Sequence, residues 1–92
     1  MKIKVRFFAP FRELFGANES EIELKNASDV QELLNHLCNS HERREKIFDQ
    51  FGELRPYVMI LKNGQPIQTL DGFRTKLEEG DEIAIFPPVS GG

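Results

Sequence analysis

The chain has one cysteine, Cys38, and two histidines, His36 and His41. A lone cysteine makes no internal disulfide and falls short of a zinc cluster. The histidines straddle a predicted helix end, so they read as solvated side chains and no metal is expected. Long hydrophobic runs are also missing. The longest covers residues 57–61, too short to cross a membrane. Met1-Lys2-Ile3-Lys4 lacks the apolar stretch of a signal peptide, so the reading is a cytoplasmic protein. There is no excess of positive charge. Lys and Arg total 12 and Asp and Glu total 15, giving −3. A slightly acidic domain is a poor electrostatic match for nucleic acid. Repeats, low-complexity linkers, Ser-His-Asp sets, phosphate loops and paired carboxylates are missing too. A catalytic pocket within the chain is therefore not expected.

What is present is an ordinary globular balance, 39% apolar and 29% charged over 92 residues. That length makes one domain, hiding somewhat over ~60% of its unfolded surface. Residues 2–8 alternate, with Ile3, Val5 and Phe7 on one side and Lys2, Lys4, Arg6 and Phe8 on the other. The period predicts a half-buried strand. Residues 20–24 repeat it, with Ile22 and Leu24 inward and Glu21 and Glu23 outward. Antiparallel pairing of the two sets bases against acids. Between them Pro10 starts, and Gly16 ends, one helical turn. Ser28 through Gln31 reads as a capping box. The helix it opens carries Val30, Leu33, Leu34, Leu37 and Cys38 on one stripe, which makes Cys38 a core thiol.

A second helix is predicted over 41–51, with Ile47, Phe48 and Phe51 as its buried edge and Gly52 as its cap. Glu42 and Lys46 sit at i, i+4 on it. Residues 57–62 form a strand of ambiguous inward face, closed by the Asn63-Gly64 turn. Residues 65–70 predict a short return strand, and Phe73 and Leu77 a helical turn. Asp81 and Glu82 are expected to be solvated. The last strand is 82–86, with Ile83 and Ile85 inward and Ala84 and Phe86 outward. A helix joining an N-terminal hairpin to later strands requires a crossover. The compact solution is α+β, a β-grasp (ubiquitin-like) mixed sheet packed on one main helix, with the first and last strands parallel at its centre.

That placement sets Phe8 beside Phe86 on the open face, which reads as a docking surface. The domain spans 1–86. Residues 87–92 form a tail of Pro87, Pro88, Val89, Ser90, Gly91 and Gly92. Two prolines fix φ at its base. Two glycines leave a thread without Cβ atoms that can approach another backbone closely. Such a tail suits a carboxylate delivered into a narrow site on a partner.

The stretches Lys4-Val5-Arg6-Phe7-Phe8-Ala9, Arg12-Glu13-Leu14, Asn63-Gly64, Gly80-Asp81-Glu82-Ile83 and the closing Ile85 to Gly92 resemble the MoaD/ThiS-type sulfur-carrier family. The resemblance is strongest to the molybdopterin synthase small subunit, and only 41–55 is loosely matched. It implies that an E1-like enzyme uses ATP to adenylate Gly92, whose carboxylate becomes a thiocarboxylate. It implies no tightly bound cofactor. It implies that the tail, Pro87 through Gly91, threads into the synthase large subunit, where sulfur passes to a pterin precursor for molybdenum or tungsten. It assigns Phe8, Arg12 and Phe86 to partner contacts. Two other readings stay open: a protein modifier joined through Gly92 to a lysine, and an interaction domain with an inert tail. A carrier for thiazole or cysteine synthesis is a further variant.

Overall fold

The computed structural model describes residues 1–86. The alternating segment is β1 (Lys2–Phe7), with Ile3, Val5 and Phe7 buried. Pro10 precedes the single-turn helix α1 (Phe11–Phe15), and Gly16 ends it at φ 76°. Next along the chain come β2 (Glu19–Glu23), α2 (Val30–Leu37), α3 (His41–Ile47), β3 (Met59–Lys62), β4 (Gln65–Pro66) and β5 (Glu82–Phe86). Two 3₁₀ turns, Ile67–Thr69 and Gly72–Arg74, lie between β4 and β5.

The sheet order is β2-β1-β5-β3-β4. β1 pairs antiparallel with β2 and parallel with β5, and β3 runs antiparallel to β5. This is the β-grasp arrangement. Opposite β2, Lys2, Lys4 and Arg6 face Glu23, Glu21 and Glu19. Lys2–Glu21 at 3.9 Å and Lys4–Glu19 at 3.8 Å are exposed diagonal pairs, each worth at most about 1 kcal/mol. The core gathers Ile3, Val5, Ile60, Ile83 and Ile85 from the sheet against Val30, Leu33, Leu34 and Leu37 of α2.

Several expectations need correction. The N-cap of α2 is Asp29, whose carboxylate accepts from the Glu32 N–H at 3.0 Å. Ser28 is buried and its carbonyl accepts from Leu77 N–H at 3.0 Å, so it is not free to start the helix. The first intrahelical acceptor is instead the Asp29 carbonyl.

α3 stops at Ile47 rather than at residue 51. Asp49 Oδ1 accepts from Phe51 and Glu53 N–H at 2.8 and 3.0 Å, a side-chain-driven turn that outcompetes the helix. Gly52, at φ 78°, serves that turn, and Phe51 points out, 79% exposed. The i, i+4 contact on α3 is His41 Nε2–Glu45 Oε2, at 3.1 Å, and not Glu42–Lys46.

The return strand after Asn63-Gly64 lasts two residues before a 3₁₀ turn replaces it. Regular pairing in β3 begins only at Met59, with Val58 and Ile60 inward. Phe73 lies in the second 3₁₀ turn against Phe48, ring centroids 5.8 Å apart.

Asp81 is not solvated. Its carboxylate accepts from Asn63 Nδ2 at 2.9 Å and from Glu78 N–H at 2.7 Å, with Lys62 Nζ 3.5 Å away. Asn63 Oδ1 accepts in turn from Glu82 N–H at 2.9 Å. The Asp81 carbonyl accepts from Lys4 N–H at 3.0 Å. One residue therefore ties the β3–β4 turn, the entry to β5 and the start of β1. Burial works against ionising Asp81, but the Asn63, Glu78 and Lys62 donors together outweigh it, and its pKa falls below the ordinary 3.8. A depressed folded pKa stabilises the fold above the unfolded value, and that stability is lost as pH falls through the folded one. Asp81→Ala is expected to cost about 1–3 kcal/mol near neutral pH. The gap to the parent should close in strong acid. Urea midpoints of both proteins across acid and neutral pH check this, and a gap independent of pH would assign the loss to packing alone.

Candidate functional site

β1 and β5 run side by side and finish together, in the register Phe7↔Ile85. Period-two alternation then turns Phe8 and Phe86 to the open face, where their rings stack with centroids 4.4 Å apart and planes 10° from parallel. The expected juxtaposition is therefore present. Across the sheet, Met59 is the register partner of Phe86 and is 46% exposed. The result is an apolar row, Phe8–Phe86–Met59, crossing three strands at the end of the sheet where β5 finishes.

Behind the row stand Arg6, Ala84 and Leu61, register partners across the same strands. The Arg6 guanidinium lies 3.5 Å from Glu82 Oε1 and 6.0 Å from the Phe8 ring centroid. It gives one end of the row a charged border. Arg12 is exposed on α1, and its N–H donates to the Phe8 carbonyl at 3.2 Å, one turn from the stack. Among the described residues its guanidinium makes no ion pair. Pro87, Pro88, Val89, Ser90, Gly91 and Gly92 lie outside the described residues.

Met59 is the member that sequence reasoning missed. The run from Tyr57 to Leu61 is apolar on both faces, so parity had no anchor there. Counting back from the Asn63-Gly64 turn could have supplied it.

Among the described residues this face offers apolar area, Arg6, and the Lys2 and Lys4 side chains opposite Glu19, Glu21 and Glu23, a composition that suits binding. Among the described residues no group of three His, Cys, Asp or Glu is placed to hold a metal. No helix among them is long and apolar enough to cross a membrane. Cys38 is buried, and burial pushes its thiol from 9.0 up to about 11, with Arg44 and Arg43 pulling weakly the other way. A thiol held neutral is a poor nucleophile.

The sequence pattern of the ThiS family matches residues 5–92. The chain belongs to the ThiS family. It is 36% identical to small archaeal modifier protein 3 of Haloferax volcanii, over 100% of both chains. It is 34% identical to the molybdopterin synthase sulfur carrier subunit of Chlamydomonas reinhardtii, again over 100% of both. The crystal structure of SAMP1 from Haloferax volcanii superposes with a TM-score of 0.85 at 28% identity, covering 100% of each chain. Sulfur carriers and ubiquitin-like modifiers thus share this fold and this family.

The burial of Cys38 has a direct test. Native protein exposed to iodoacetamide at mildly alkaline pH should remain unalkylated by intact mass, and urea should release the reaction. Rapid alkylation of the native chain would mean that the thiol reaches solvent.

Proposed function

We propose that this chain is the sulfur carrier of molybdopterin synthase, its small subunit. The observation that carries the reading is end-to-end similarity to a molybdopterin synthase carrier subunit, joined to a half-buried aromatic stack at the residue before the C-terminal segment begins. On this reading an E1-like enzyme joins the Gly92 carboxylate to AMP, releasing pyrophosphate from ATP. A free carboxylate is a poor electrophile because its charge is delocalised and oxide is a poor leaving group. The acyl-adenylate carries a good one. A sulfur donor then takes the place of AMP and leaves a thiocarboxylate, a soft nucleophile.

Phe8, Phe86 and Arg12 dock the domain on the large subunit. Pro87, Pro88, Val89, Ser90 and Gly91 lead Gly92 into its site, where sulfur passes to the pterin precursor. The chain supplies sulfur and the partner supplies catalytic side chains. No cofactor is held by the chain itself.

The second reading, conjugation through Gly92 to target lysines, is favoured by the 36% identity to a protein named as a modifier. Intact mass after incubation with ATP, the host's E1-like enzyme and a sulfur donor separates the two. An oxygen-to-sulfur mass change marks a carrier. A ladder of conjugates in cell extract, without that change, marks a modifier.

Deleting Gly92 is expected to abolish sulfur loading and leave the thermal midpoint unchanged, because Gly92 has no side chain to pack. Full loading of the truncated chain would remove Gly92 from the chemistry.

Phe86→Ala is expected to weaken large-subunit binding by about 2 kcal/mol or more, the range of an aromatic interface anchor. Its stability loss should stay below the ~3–5 kcal/mol of a fully buried phenylalanine, since Phe86 is only half-buried. Calorimetry and urea midpoints give the two numbers. A core-sized stability loss with parental affinity would show that the stack holds the fold and not the partner.

A further inference from the structure

Asparagine followed by glycine is the pair most prone to lose its side-chain amide, because glycine has no side chain to shield its nitrogen. The chain has one such pair, Asn63-Gly64, at the turn between β3 and β4. The reaction needs only water and solvent base. The Gly64 nitrogen gives up its proton and attacks Asn63 Cγ. A C–N bond forms, the Cγ–Nδ2 bond breaks and ammonia leaves. Water then opens the resulting imide at either carbonyl, which leaves aspartate or isoaspartate. Nothing is oxidised or reduced.

The turn is open to both reactants. Asn63 and Gly64 are exposed, and a side chain placed on Gly64 would begin with no atom within 4 Å of its Cβ. The Asn63 amide, in contrast, is held at both ends. Its Nδ2 donates to Asp81 Oδ1 at 2.9 Å, and its Oδ1 accepts from Glu82 N–H at 2.9 Å. A carboxylate only accepts and an N–H only donates, so each end of the amide has a partner that suits it. The backbone N–H of Asn63 also donates to the Glu82 carbonyl, at 2.8 Å. Attack makes Cγ tetrahedral, which carries Nδ2 and Oδ1 out of the plane in which these partners hold them. Departure of ammonia then breaks the bond to Asp81.

We propose that Asn63 is a site of spontaneous deamidation that Asp81 holds closed, and that its conversion to acid unfastens the β3–β4 turn from β5. The proposal goes beyond the proposed function and does not depend on Gly92. The product reverses the contact that protected it. Where Nδ2 donated, an oxygen faces Asp81 Oδ1. Two carboxylates then compete for Lys62 Nζ, now 3.5 Å from Asp81 Oδ2. Like charges this close disfavour one another. The disturbance reaches β1, because Lys4 N–H donates to the Asp81 carbonyl at 3.0 Å.

The test ages the full chain at mildly alkaline pH, cleaves after Lys62 and weighs the fragment that begins at Asn63. Loss of the amide changes its mass, whereas isomerisation at Asp71-Gly72 within the same fragment does not. The folded parent should react roughly tenfold or more slowly than the same chain in denaturing urea, the weight of hydrogen bonds that include a charged acceptor. Asp81→Ala should move the folded rate most of the way to the unfolded one. Ile47→Ala removes a buried side chain from α3, away from the turn, and controls for global unfolding.

Equal rates in the folded and unfolded parent overturn the proposal. Equal acceleration by Ile47→Ala and Asp81→Ala overturns it as well, since the protection would then belong to the whole fold. Asn63→Asp stands in for the product. Its folding equilibrium constant at neutral pH, from urea unfolding, should fall roughly tenfold. A parental value would show that the turn tolerates the acid, and would overturn the unfastening.

Discussion

The parallel pairing of β1 with β5 is the constraint on which everything else in this molecule depends. Those strands are the first and last among the described residues, so their contact closes nearly all of that length into one loop. Closing a loop of that length is entropically costly. It is offset by apolar burial on the inner face, where Val5 and Phe7 lie against Ile83 and Ile85 in register. The pairing is also held at its start, where Lys4 N–H reaches the Asp81 carbonyl and Gly80 N–H reaches the Lys2 carbonyl. Once the register is fixed there, parity carries it to the far end. Phe8 and Phe86 are then stacked by geometry, without any contact that selects them individually.

The strands and their faces were legible because period two is written plainly in Lys2 to Phe7 and in Glu82 to Phe86. The charge ladder between β1 and β2 was legible for the same reason. What escaped was decided by contacts distant in sequence or by competing local turns. Ser28 and Asp29 are equally good caps on paper. The choice falls to Asp29 because the segment around Leu77, far along the chain, claims the Ser28 carbonyl. Asp49 reads as a helix residue until its side chain is seen to hold two N–H groups beyond it. Asp81 reads as a solvated turn residue until Asn63, eighteen positions away, is found on it. The fold uses the side chains of Asp29, Asp49 and Asp81 as hydrogen-bond acceptors, a role the local sequence did not assign to any of them.

The candidate site divides in the same way. Phe8 and Phe86 were reachable from strand parity alone, whereas Met59 required knowing where β3 begins. Arg43, which pins α3 to α1, gave no sequence signal at all. On a surface-facing helix an arginine usually means a solvated charge. Here its guanidinium lies against Phe15 and donates to the Leu14 and Leu37 carbonyls. Long basic side chains can cover apolar surface while keeping their charge satisfied, and only tertiary structure reveals which ones do.

Among the described residues the open face carries apolar and charged side chains suited to binding, which bears on how carrier and modifier can share one family. On the function proposed above, both uses would begin with the same need, a carboxylate made electrophilic by another protein. The fate of the activated acyl group then depends on the nucleophile that meets it, a sulfur donor in one case and a lysine amine in the other. On the proposed function the described residues supply recognition: a stacked aromatic pair, a methionine beside it and a bordering arginine. On the function proposed above, selection between the two fates would belong to the partners that read this face, and a change in the face would redirect the chain without altering the chemistry at Gly92.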